Sequence, residues 1–106
     1  MPSNSPFLPA RLQLVEQQMI TLVFNQYWDQ EDIRALSDML FTALGQVSRK
    51  NTVLGADRED IHFYWHEACY ILYFESNSQS CWIEAESAEN HACLSQMFAL
   101  LTSALS

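Results

Sequence analysis

The chain has 106 residues, 49% of them apolar, with only two glycines and three prolines. That is the length of one domain with enough apolar material for a core, and it excludes intrinsic disorder. Thirteen acids against five bases give a net charge of −8, which disfavours binding to a phosphate backbone or an anionic membrane.

No apolar run reaches the roughly 20 residues of a membrane helix. The start, Met1 to Pro6, lacks the basic and apolar regions of a signal peptide. The expected location is the cytoplasm. Cys69, Cys81 and Cys93 fit this, being an odd count with no Cys-x-x-Cys pair. Beyond Arg58 there are acids but no Lys or Arg. Solubility is the simplest reading of that half, and attraction to a basic partner the functional one.

In chain order, residues 1–9 are rich in Pro, Ser and Asn and read as a loose arm, leaving 10–106 as a single domain. Residues 11–24 read as one bulged strand or as a hairpin turning at Gln17-Gln18. Asp29 is a helix N-cap, with Glu31 and Asp32 in the first turn. Ile33, Leu36, Leu40, Leu44 and Val47 then mark one helical face, and Arg49 and Lys50 suit its last turn. Residues 51–60 read as a polar loop. Segments 61–66, 69–75 and 80–86 read as strands. Ser87 caps a second helix with its stripe on Leu94, Met97, Phe98, Leu101, Ala104 and Leu105. The fold class is α+β: a two-layer sandwich, mainly antiparallel, with both helices on one face (order β-α-β-β-β-α, the first strand single or a hairpin).

Turns at Glu67-Ala68 and Asn77-Ser78 set a register. One face then carries Ile61–Phe74–Cys81, Phe63–Leu72–Ile83 and Trp65–Tyr70–Ala85, and meets the helices. The opposite face carries His62–Tyr73–Trp82, Tyr64–Ile71–Glu84 and His66–Cys69–Glu86. An aromatic patch with a polar rim is an interaction surface in character. Tyr64, Tyr73 and Trp82, with Glu84 and His62, are its candidate residues. The chain's own N-terminal segment, a twin subunit or a foreign protein could each cover it.

In that register His66, Cys69 and Glu86 share a row about 5 Å apart. The set could ligate a divalent metal, or Cys69 could act as a nucleophile with His66 as base and Glu86 orienting it. No oxyanion site accompanies the pair, and an idle thiol is the simpler reading. His91, Cys93 and Trp28 read as structural, Trp28 as an anchor ahead of the first helix. Two glycines can build neither a dinucleotide loop nor a phosphate loop, so no cofactor is implied.

The run Phe63-Tyr64-Trp65-His66, then Tyr70 to Glu75, then Ser80-Cys81-Trp82-Ile83-Glu84, resembles a family of small proteobacterial proteins of unknown function, over about the whole chain. The resemblance implies a bacterial, cytoplasmic protein and no site residues. The sequence thus reads as a non-enzymatic binding module acting on a protein partner or on itself, with metal-binding or thiol chemistry at His66, Cys69 and Glu86 as the alternative.

Overall fold

In the computed structural model, which describes residues 9–105, the first apolar segment is a hairpin. Strands β1 (Pro9–Val15) and β2 (Met19–Phe24) pair antiparallel from Val15↔Met19 outward, with an irregularity between Pro9 and Arg11. The choice between bulged strand and hairpin resolves as a hairpin that keeps a bulge. Pro9 already belongs to β1; the rest of the expected arm, residues 1–8, lies outside the described residues.

Asp29 caps the next element as expected. Its carboxylate accepts from the Glu31 N–H, and Asp32 Oδ2 accepts from the Asp29 N–H in return. A 3-10 turn, Gln30–Asp32, leads into helix α1 (Ile33–Leu44). The buried face of α1 is Ile33, Leu36, Leu40 and Leu44, with Phe41 and Ser37.

The helix ends sooner than its charge pattern suggests. Gly45 adopts φ 74°, ψ 147°, a conformation that glycine reaches without a Cβ penalty, and the chain leaves the helix there. Arg49 and Lys50 therefore sit in no helical turn. They belong to strand β3 (Ser48–Leu54), and the expected loop 51–60 holds the rest of β3, a tight turn and the start of β4 (Arg58–Trp65). β3 carries no alternation because all seven of its residues are exposed. An edge strand with neither face in the core leaves no apolar period in the sequence.

Strands β5 (Ala68–Glu75) and β6 (Ser80–Ala85) complete a four-stranded meander. The sheet order is β1-β2-β6-β5-β4-β3, all antiparallel. Ser87 caps the last element through its hydroxyl, which accepts from the Glu89 N–H, and α2 (His91–Leu105) follows. Helices α1 and α2 pack against each other on one face of the sheet, α2 beneath β1, β2 and β6.

The faces segregate as the alternation predicts. Ile20, Leu22, Phe24, Ile61, Phe63, Trp65, Tyr70, Leu72, Phe74, Cys81 and Ile83 point into the core and meet α1 together with Leu94, Met97 and Leu101. The β5–β6 register is the expected one, with Tyr73↔Trp82 and Phe74↔Cys81. The β4–β5 register differs. The turn is His66-Glu67, both with positive φ, so Trp65 pairs with Ala68 and Ile61 with Leu72. A turn placed one residue earlier slides every β4 row by two positions. Two is the period of a strand, so each side chain keeps its face and changes only its neighbour.

Inside the core, the Trp65 Nε1 and Tyr70 hydroxyl have no hydrogen-bond partner among the described residues. Burial pushes the Tyr70 hydroxyl well above the ordinary tyrosine range.

Candidate functional site

Both helices lie on the inner face, and among the described residues no helix or strand covers the outer one. Its centre is an aromatic pair. Tyr73 of β5 lies directly opposite Trp82 of β6, and their rings stack at 4.8 Å and 14°. The Arg58 guanidinium sits over both rings, 5.1 Å from Tyr73 and 5.7 Å from Trp82. Its Nε donates to Asp60 at 2.9 Å, so the cation is fixed from one side by a carboxylate and from below by two π faces. The Trp82 indole donates to Glu84 Oε2 at 2.9 Å. Partial burial, then the nearby Glu84 and Asp60 carboxylates, raise the Tyr73 pKa, so its hydroxyl stays protonated at neutral pH.

A second group stands toward β3. His62 Nδ1 lies 3.0 Å from Glu86 Oε2, and Lys50 Nζ is 3.7 Å from the other Glu86 oxygen. Lys50 also lies 5.8 Å from the ring centre of Tyr64, which is 42% exposed. The bulge between Arg49 and Asn51 turns Lys50 to this side while Arg49 reaches under the sheet to α1. The hydrogen bond from His62, then Lys50, hold the Glu86 carboxyl below its ordinary value. A carboxyl lowered in the folded state contributes stability above the ordinary carboxylate range and loses it as pH falls through the depressed value. The contribution is small, because Glu86 is solvated. In a carboxyl-detected NMR titration we expect Glu86 to ionise below the ordinary glutamate value, and to return toward that value in His62→Gln. Ordinary titration in the wild type would mean that the pair is not held in solution.

The five candidate surface residues are all on this face, but the rows are not those of the assumed register. His62 faces Ile71, which faces Glu84; Asp60 faces Tyr73; and Tyr64 faces Cys69. Arg58 and Asp60 also belong to this face, although residues 51–60 read as a polar loop in the sequence. Continuing the alternation backward from His62 puts both on the same face.

The row His66–Cys69–Glu86 is not formed. His66 lies in the β4–β5 turn with φ 52°, its ring stacked on Trp65 at 3.9 Å. Cys69 keeps Glu86 as its β6 neighbour, the Glu86 N–H donating to the Cys69 carbonyl at 3.0 Å, but on β4 it faces Tyr64 rather than His66, and the Glu86 carboxylate turns to His62 and Lys50. Among the described residues no group of three or more His, Cys, Asp or Glu is placed to hold a metal ion. Cys81 is buried and its thiol is pushed well above the usual range by burial.

The architecture defines an α+β two-layer sandwich with one aromatic sheet face that no described helix or strand covers. Among the described residues no helix is long and apolar enough to cross a membrane. The chain belongs to the family described as "Protein of unknown function (DUF3630)", whose match spans residues 11–102 and so takes in the hairpin, the meander and nearly all of both helices. No similar protein was found among the curated proteins, and none among the solved structures.

Proposed function

We propose that this protein is a non-enzymatic interaction module whose outer sheet face pairs with a second copy of itself. The carrying observation is the Tyr73–Trp82 stack under Arg58, at the centre of a face that both helices leave bare. Aromatic anchors with an Arg, ringed by polar groups, are the composition of interface centres.

Charge favours a second copy as occupant. The chain carries −8 as a whole, yet on this face Arg11, Lys50 and Arg58 stand among Asp60, Glu75, Glu84 and Glu86. A face holding both signs in near balance can meet its own image with cations set against acids, as a two-fold contact requires. Six strands about 4.8 Å apart and some 20 Å long present roughly 500 Å² per copy, so a dimer would bury on the order of 1,000 Å², the lower bound of a specific interface. The three cysteines are free thiols, in keeping with a cytoplasmic setting.

Sedimentation velocity from micromolar to submillimolar concentration tests the reading. We expect a monomer–dimer equilibrium that Trp82→Ala weakens by about tenfold or more, with the circular dichroism spectrum unchanged. Leu54→Ala, on the helix side of β3 opposite Glu59, should leave it alone. A wild type that stays monomeric throughout would remove the second copy as occupant. A lysate pull-down comparing wild type with Trp82→Ala would then ask whether a foreign protein takes its place.

A further inference from the structure

The β3 edge has a feature that the outer face does not explain. β3 is the last strand of the sheet, so alternate backbone N–H and C=O groups along it point away from any partner strand. All seven residues are exposed, Val53 by 52% and Leu54 by 70%. Edge strands are usually blunted by charge, proline or a bulge. β3 has its bulge and its charges at one end, and Asn51-Thr52-Val53-Leu54 has none of these.

Two hollows lie side by side where α1 runs beneath this edge, and Arg49 lines both. One, of about 530 Å³, is bounded by Phe41, Thr42 and Val47. The other, of about 260 Å³, is bounded by Arg34, Ser37, Thr52 and Glu59. Arg49 lies over the Phe41 ring at 4.8 Å and spends only Nη2, on Asp38 at 2.6 Å and on the buried Ser37 hydroxyl at 3.1 Å. The Arg34 guanidinium makes no hydrogen bond or ion pair among the described residues. Two of the chain's five cations, Arg34 and Arg49, therefore line these hollows in an otherwise acidic protein, while Lys50 turns to the outer face and pairs with Glu86. The opposing charges here are Asp38, already paired with Arg49, and Glu59, whose carboxyl burial pushes up.

We infer that β3 accepts an added strand from another protein, an extended segment with an apolar residue and an acidic residue two positions apart. Backbone hydrogen bonds to the open edge supply the docking, and side chains on one face of the added strand enter the hollows. Residues i and i+2 of a strand lie about 7 Å apart on one face. One fills the hollow beside Phe41 and Val47, and the other sets its carboxylate between Arg34 and the free donors of Arg49. A second copy of this chain is a poor occupant. Its own edge segments, Pro9–Val15 and Ser48–Leu54, contain no Asp or Glu and would bring Arg11, or Arg49 and Lys50, against the cations already there.

The test uses fluorescein-labelled heptapeptides of threonine carrying one valine and one glutamate at positions three and five, in both orders so that either strand direction is served. Fluorescence polarisation should show one order binding, and amide shifts in a ¹H–¹⁵N spectrum should fall along β3. Lysine in place of glutamate, or proline between the two, should abolish binding. Arg34→Gln, on an exposed side chain, should weaken it by about tenfold. Glu59→Gln should strengthen it by removing the competing carboxylate. The inference is overturned if neither peptide binds at millimolar concentration, if the lysine or proline peptide binds as well, if Arg34→Gln changes nothing, or if the shifts fall on the outer face.

Discussion

Trp28→Ala should cost about 3–5 kcal/mol of folding free energy, the range for truncating a buried Trp or Phe, against a total of roughly 5–15 kcal/mol for a domain of this kind. Trp28 is 1% exposed and meets Phe74 edge-on, with ring centres 5.4 Å apart at 80°. It lies where the chain leaves β2 for α1, and its backbone is held from across the fold. The Trp28 N–H donates to Gln79 Oε1 at 3.1 Å, and Gln79 Nε2 donates back to the Trp28 carbonyl at 2.7 Å. Removing the indole leaves a cavity in the core and keeps that clamp. Urea denaturation should show the midpoint falling with the slope unchanged. Gln79→Ala, which does the reverse, should cost about 1–3 kcal/mol by leaving a partly buried amide and carbonyl unpaired. A loss below about 1 kcal/mol for Trp28→Ala would mean that the site collapses freely and Trp28 anchors nothing.

Gly45→Ala should cost about 2 kcal/mol through the backbone alone. The torsions of Gly45, φ 74° and ψ 147°, are ones that residues with a Cβ rarely adopt. A Cβ built there meets no atom within 4 Å, so no clash contributes. A helix that simply ran on would carry Arg49 away from Ser37 and Phe41. The expected result is a fall in melting temperature of roughly 8–10 °C, with Gly45→Asn falling about as far, because the tolerance of Asn for positive φ is confined to the left-handed helical region and ψ 147° lies outside it. An Ala variant as stable as the wild type would show that the chain can leave α1 by another route.

The sequence makes the layers legible and hides what lies at their borders. Leu94, Met97 and Leu101 repeat at the helical period because one face of α2 is core, and Ile61, Phe63 and Trp65 alternate because one face of β4 is core. Burial writes those patterns. β3 is buried on neither side, so its seven residues are read as the end of a helix and a loop. The side chains of Arg49 and Lys50 match a helical last turn as well as they match their actual strand. The hairpin register turns on His66-Glu67, which adopts positive φ without the Asn or Gly that would advertise it. The aromatic face survives that error, since a slip of two preserves sidedness. The His66–Cys69–Glu86 row does not, since it needed three particular neighbours. Membership of a face is read from period alone, whereas adjacency across strands needs the turn as well.

The strand order has a further consequence, for how the chain comes together. β1 with β2, and β3 through β6, each zip between sequence neighbours. The β2–β6 ladder alone, with Met19 opposite Glu84 and Leu22 opposite Cys81, joins segments from opposite ends of the chain. That seam carries the largest loop-closure entropy in the sheet and is the step on which the folding rate depends most. Until it closes, the molecule is two separate β units tethered through α1, each with an open edge. At high concentration the hairpin of one chain can then close on the meander of another, the usual route to a domain-swapped pair.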